Sequence, residues 1–473
     1  MKTKIIFVIL IFVFLVSCSA DETTNKEKNT NKKLTTISII ADSEDSIALF
    51  KREEKNIENK LGVKLEYHYP SRLNDNLEDF LFASKKTYDI YMLFPGKIPE
   101  YVTRDMLLPL DHYIKDTKDI DDILPVYRNL YMQFDNHDYG MVYDGDTHLL
   151  FYRKDIFKKY NDEYKSKYGK DLTPPQTWKE YDQIAEFLTK DTDKNGEIDL
   201  YGTAIFGGEA KRYIWFAERY TSMGGKYFDE NMKPLITSNE AVQALQDLVD
   251  LNDSGATPPN SMYDWIDLNN AFLHGEIAMT IQWSDTARFS YDKENWGSTV
   301  QDKVGWTLVP AEKPNNPRGG IWIGRVLSIS KQSNHADKAW EVISHITSKK
   351  VSQEAISSFG TINDPFRYSH FSSGGKGAFP REELNKDLLA AVKESLKQTN
   401  ADMMIPSGWE YMQVLDENIS FALLHKLTAT QALEKTAEEW EVITERNGRD
   451  KQAAHYQQWL RQLEEVNHND LAQ

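Results

Sequence analysis

The order in which strand-like and helix-like segments follow one another constrains this chain more than any other feature. "TTISII" (35–40) is a short β-branched run, and the stretch over about 44–61 sets Ile47, Phe50, Ile57 and Leu61 roughly on one face, with Gly62 just past its end. "VKLEYHY" (63–69) and the apolar "YDIYML" (88–93) read as two further strands. Strands alternating with helices predict βαβ units and a mainly parallel sheet. The middle is then mostly helical. In "PPQTWKEYDQIAEFLTK", Thr177 can cap a helix with Glu180 three residues on, and Trp178, Ile184, Phe187 and Leu188 form its apolar face. "LITSNEAVQALQDLVDLNDSG" repeats the scheme, with Thr237 and Glu240 as a capping box, Val242, Leu245 and Val249 on one face, and Gly255 as the stop. "LNNAFLHGEIAMTIQW" reads as a helix stopped at Gly275, then a strand from Ile277 to Ile281.

Strand patterns return in "VGWTLVP" (304–310) and "GGIWIGRVLSIS" (319–330). A helix follows, with Ala336, Trp340, Ile343 and Ile346 on one stripe, and from about 384 onward the chain is charged, amphipathic helix. The order α/β, helix-rich, strands again, helix-rich predicts two lobes joined by crossing segments. The division expected is 35–143 with 304–347 in one lobe, and 144–303 with 348–473 in the other. Length agrees: a body of about 440 residues is too long for one ordinary core.

The N-terminus carries a different signal. Lys2 and Lys4 precede an unbroken apolar run, Ile5 to Val16. That run is shorter than the roughly 20 residues a transmembrane helix needs, so residues 1–17 read as a signal peptide. Leu15-Val16-Ser17-Cys18 is similar to the lipobox of bacterial lipoproteins, which implies lipidation of Cys18, the only cysteine in the chain. A single cysteine excludes an internal disulfide and any cysteine-based metal site. The rest of 18–34 is polar and charged and is expected to be a disordered tether. No second run of 18 apolar residues occurs, and the net charge of −17 argues against nucleic-acid binding. Eleven tryptophans and 24 tyrosines are a surplus that suits a site gripping flat apolar faces.

"DTDKNGEIDLYG" (191–202) places Asp191, Asp193, Asn195, Gly196, the Glu197 carbonyl and Asp199 at the first, third, fifth, sixth, seventh and ninth positions of a calcium loop. The twelfth is Gly202 where a bidentate glutamate is needed. A structural calcium and a plain acidic turn are both compatible with it.

Several stretches together resemble one family in order: "YDIYML", "LLPLDHYI", "YGMVYDGDTHLLFYRKDIFKKY", "PPQTWKEYDQIAEFLTK", "DTDKNGEIDLYG", "SMGGKYFDEN", "AFLHGEIAMTIQW" and "GGIWIGRVLSISKQSNHADKAWEVISHIT". The chain resembles the extracellular solute-binding proteins of bacterial ABC importers, specifically the sugar-binding group. Arg325-Val326 departs from the family, beside a strand usually lined with small residues. The resemblance implies an α/β, two-lobed periplasmic-binding-protein-like fold of type II with a helix-rich second lobe. It also implies a sugar or oligosaccharide in the cleft, membrane permease subunits as partners, no required cofactor and no catalytic residue.

Under that resemblance Trp283, in the loop after "EIAMTIQ", and Trp322, on "GGIWIG", are the first candidates for stacking on a sugar ring. Tyr143, Asp144 and Asp146 lie in a crossing segment that lines the cleft, although Asp-Gly also makes a turn. Asp42 and Glu44 follow the first strand at its carboxyl end, where ligands bind open α/β sheets, and can equally cap a helix. Arg367 in "NDPFR", Trp409 in "PSGWEY", and Trp215 and Trp265 complete the set. Trp178 and Trp340, on helix stripes, read as core. A surface glycoside hydrolase, needing two carboxylates across the scissile bond, is the enzyme alternative. No GxSxG, HExxH or Walker-A motif is present. A non-sugar solute, or a receptor feeding a sensor kinase, are further alternatives.

Overall fold

A computed structural model describes residues 34–69, 87–208, 211–259, 263–372, 378–397 and 399–468. Cys18, the signal segment and the tether lie outside them. β1 (Thr35–Ile40) pairs in parallel with β2 (Val63–His68) and β3 (Ile90–Leu93), as the alternating pattern predicts. The helix between β1 and β2 runs Ala48–Leu61 after a short turn, Asp45–Ile47, and ends at Gly62. It packs beside the helix Ala336–Ile346.

The sheet is not purely parallel. Its order is β2-β1-β3-β11-β6, where β11 (Arg325–Ile329) runs antiparallel to both β3 and β6 (Met141–Asp144). A strand from late in the chain is thus inserted between two early ones. β3, β6 and β11 are buried along their whole length, which is why they read as continuous apolar runs and not as alternating ones.

A second, antiparallel sheet has β7 (His148–Arg153) between β8 (Met279–Trp283) and β9 (Val304–Thr307). Its surroundings are helical: Lys154–Tyr168 follows β7 directly, and Trp178–Leu188 is capped by Thr177, whose side chain accepts the Glu180 N–H. The helix Asn239–Asp253 is capped by Ser238, one residue beyond the expected Thr237, because the Ser238 hydroxyl is the one that reaches the Ala241 N–H. Residues 304–307, expected with the first group of strands, pair here with β7. Strand pattern alone does not say which sheet a strand joins. β10 (Gly319–Ile321) and β12 (Thr399–Ala401) form a small parallel pair, and helices Gly408–Leu423, Ala429–Asn447 and Arg449–His468 complete the chain. β4 (Gln133–Phe134) and β5 (His137–Asp138) make a short hairpin before β6. Among the described residues no helix is long and apolar enough to cross a membrane.

The chain passes between the two larger sheets at 145–147, and at 322–324 a second crossing leads from β10 of the small pair into β11. A third segment, 361–366, lies against the first of these crossings. There the Asn363 side-chain amide donates to the Tyr143 carbonyl (3.0 Å) and the Asp364 N–H donates to Asp144 (2.7 Å). Gly145 is needed at this crossing, since a Cβ would sit 2.4 Å from the Pro365 carbonyl oxygen.

Candidate functional site

The crossing segments surround a cavity with about 380 Å³ of atom-free space, its opening included. Ser43 and Asp45 reach it from the loop after β1, and Asp146 from the first crossing. Ile323 and Arg325 come from the second crossing, and Ile362 from the third. Lys211, Trp265, Trp283 and Asp285 close it from the helix-rich side.

Arg325 organises the charge. It stands opposite Asp144 in the β11–β6 register, at an irregularity of the kind that re-aims side chains beside functional sites. Its Nη2 and Nε donate to the two oxygens of Asp42 (2.9 and 3.1 Å), and its Nη1 donates to Asp144 (2.9 Å) and lies 3.6 Å from Asp146. One guanidinium thereby joins the end of β1, the end of β6 and the first crossing. Burial works against ionising Asp42, but the Arg325 charge and hydrogen bonds outweigh it and hold that carboxyl at about 2.

The second crossing is bound through its backbone. Ile323 has φ +74° and Gly324 has φ +49°, so two successive N–H groups point inward. Ile323 N–H donates to Asp402 (2.6 Å) and Gly324 N–H to Asp146 (2.9 Å). A β-branched residue at positive φ is strained, by about 1–3 kcal/mol, and persists where its surroundings over-determine it. Asp402 also accepts the Tyr213 hydroxyl.

The aromatic wall is Trp283 with Trp265. Trp283 Nε1–H donates to the Trp322 carbonyl (2.9 Å). Its ring meets His148 edge-on at 4.4 Å and Trp215 at 6.3 Å. His148 is itself held by Glu218, 2.9 Å away and fully buried with it.

Of the residues singled out in the sequence, Trp283, Trp265 and Asp146 line the cavity. Asp42 and Asp144 stand one layer behind, holding Arg325. Tyr143 is core, its hydroxyl donating to the Ser46 carbonyl (2.8 Å). Trp322 turns away and lies over Gly320, where a Cβ would meet its Nε1 at 2.1 Å. Trp215 stacks on Phe206 behind Trp283, and Trp409 packs on Phe94 beneath Lys97. Glu44 points outward, with 65% of its side chain exposed, and pairs with Lys51, whereas its neighbours Ser43 and Asp45 face the cavity. Arg367, 1% exposed, donates to the Asp119 and Thr347 carbonyls, so it brackets loops away from the cavity. Sequence reasoning missed Lys211, Asp285, Asp45 and Ile323, and it took Arg325 only as a departure from the family.

The acidic loop does not gather into a metal site. Asp191 accepts the Asn195 and Gly196 N–H groups, Asp193 and Asn195 cap the turn, and Asp199 is turned onto Thr192. Gly202 stands at the twelfth place, where a bidentate glutamate is needed, and calcium is not indicated. No group of three or more His, Cys, Asp or Glu side chains among the described residues could hold a metal.

Burial pushes Asp144 and Asp402 above the ordinary range, and burial with repulsion from neighbouring carboxyls pushes Asp146 and Asp285 well above it and Asp364 to about 7. Burial, aided by Arg325, pulls Lys211 down to about 8. A carboxyl raised on folding binds more protons folded than unfolded between its ordinary value and its folded value, so its contribution to stability falls as pH rises through that window. For Asp364 the window runs from about 4 to 7. Asp364→Asn is therefore expected to gain about 2–3 kcal/mol on the wild type between pH 5 and pH 8. Urea denaturation of both proteins at the two pH values checks this; parallel pH profiles would contradict it.

Comparison with known proteins places this geometry. The family described as bacterial extracellular solute-binding protein matches residues 45–353. It is an extracytoplasmic family of binding proteins, not of enzymes, and the glycoside-hydrolase reading is set aside on that ground. A probable amino-acid ABC transporter periplasmic-binding protein of Sinorhizobium fredii is 22% identical over 275 residues, 58% of this chain and 56% of that protein. The matched region spans about half the length of the curated relatives. An ABC transporter solute-binding protein of Agrobacterium radiobacter, solved with ribitol, has a TM-score of 0.72 at 22% identity, covering 86% of this chain and 98% of its own. The maltose-bound MalE3 of T. maritima has a TM-score of 0.70 at 21% identity, covering 86% and 100%. These likenesses establish the two-lobed periplasmic-binding-protein fold.

Proposed function

The chain belongs to the bacterial extracellular solute-binding proteins, and from that we propose that it captures a sugar or sugar-like polyol between its lobes and hands it, unchanged, to the membrane subunits of an ABC importer. The observation that carries this reading is the cavity itself. It brings two indoles, Trp265 and Trp283, together with buried carboxyls and Arg325 where the chain crosses between sheets. Indoles suit the C–H faces of a sugar ring, and charged groups suit its hydroxyls. The ribitol and maltose held by two proteins of the same fold support it.

One lobe is built on the five-stranded sheet and the other on the three-stranded sheet with its helices, and the crossings at 145–147, 322–324 and 361–366 form the hinge. Ligand contacts made to both lobes at once favour the closed state. Lipidation of Cys18 anchors the protein outside the cytoplasmic membrane, and the tether keeps it near its permease, raising its effective concentration there. The loop 191–202 serves as a turn.

A thermal-shift screen of monosaccharides, oligosaccharides, polyols and amino acids tests the reading. A sugar or polyol is expected to raise the melting temperature and to be recovered intact. Shorter products would return the enzyme alternative, and stabilisation by amino acids alone would overturn the sugar assignment.

A further inference from the structure

The cavity holds more buried acid than base. Arg325 is committed to Asp42 and Asp144. Arg288, the other buried guanidinium nearby, donates to the Ile356 and Thr361 carbonyls and not to a carboxylate. Asp402 and Asp146 are each met by a backbone N–H of the second crossing. Asp285 is not so served. It is 2% exposed, lines the cavity, and its Oδ1 has no hydrogen-bond partner.

The remaining cation of the lining is Lys211. Lys211 Nζ sits 5.4 Å from the Phe94 ring and 5.9 Å from the Trp283 ring, with Asp42, Asp146 and Asp264 as its acidic neighbours. The groups acting on Asp285 are Asp364 and Asp144, which repel it, and Arg288 and Arg325, which attract it. Burial and the repulsion of Asp364 and Asp144 push the Asp285 carboxyl well above the ordinary carboxylate range. A hydroxyl donated to Asp285 would give Oδ1 a partner and leave that repulsion in place. An ammonium beside it also offsets the repulsion, so that the carboxyl ionises and releases its proton to solvent, and it makes a charge-assisted bond about twice as strong as a neutral one.

We propose that the solute is an amino sugar, a polyhydroxylated ring carrying a protonated amine, and that Asp285 receives its ammonium. This rests on the sugar reading above and narrows it. Lys211 repels the ammonium and so favours ring orientations that keep it at Asp285.

The test is calorimetric titration of the protein at pH 7 with matched sets: glucosamine, galactosamine, mannosamine and de-acetylated chitobiose, each beside its N-acetylated and its hydroxyl counterpart. The best amine is expected to bind at least tenfold more tightly than both counterparts. Asp285→Asn keeps the side chain's volume and removes its charge. In that variant the advantage of the amine over both counterparts should fall below threefold. Neutral sugars binding as tightly as their amines to the wild type overturns the amino-sugar proposal and leaves the sugar reading standing, whether or not the variant folds. Failure of every sugar in both arms overturns the sugar reading and the proposal with it.

Discussion

Arg325→Met is expected to lower stability by about 3–5 kcal/mol, the cost of removing one partner from a buried ion pair. The change leaves Asp42, Asp144 and Asp146 close together without the cation that holds them. Asp42 alone loses two hydrogen bonds, at 2.9 and 3.1 Å, from a carboxyl now kept at about 2. Solute affinity should fall as well, because Arg325 forms part of the cavity wall. The midpoint of urea denaturation measures the first effect and calorimetric titration the second. Combining Arg325→Met with Asp42→Asn and Asp144→Asn should recover much of the stability, since replacing a buried charged set by neutral groups is often near-neutral where breaking it is not. The affinity should stay low in the combined variant. A single variant within 1 kcal/mol of the wild type would mean that the carboxylates are held by something other than this guanidinium.

Trp283→Ala is expected to cost about 3–5 kcal/mol of stability, as large-to-small changes at buried aromatics do. Trp283 is 3% exposed, packs edge-on against His148, and donates to the Trp322 carbonyl. Affinity for the solute should drop by a further 2 kcal/mol or more, about the size of a stacking anchor. Trp283→Phe separates the two contributions. It gives up the hydrogen bond to Trp322, roughly 1 kcal/mol, but presents a ring to the cavity and should retain most of the affinity. Unchanged affinity in Trp283→Ala, measured on the fraction that remains folded, would take this residue out of the binding site.

The strands β1, β2 and β3, the helix Ala48–Leu61 and the Thr177 cap were legible in the sequence because each depends on residues within a few positions of one another. Trp283 was legible too, as a tryptophan closing a buried strand. Its companion Trp322 shows where that reasoning stops. Chemical type favoured Trp322, yet Ile323 and Gly324 take positive φ and turn the chain there. The second crossing presents Ile323 and Arg325 to the cavity and folds Trp322 back over Gly320.

Lys211 and Asp285 were harder still. A charge in a helix-rich stretch is ordinarily solvated, and nothing near either residue in the chain marks it as buried. The sequence by itself determined the main elements and their order, since backbone propensity and apolar periodicity are local, and its ordered motifs carried the resemblance to the family. Which charges are taken out of water was decided only by tertiary structure. Asp42, Asp144 and Arg325 come from three distant strand ends, and the energy of a buried charge depends on what the fold brings within a few ångströms of it.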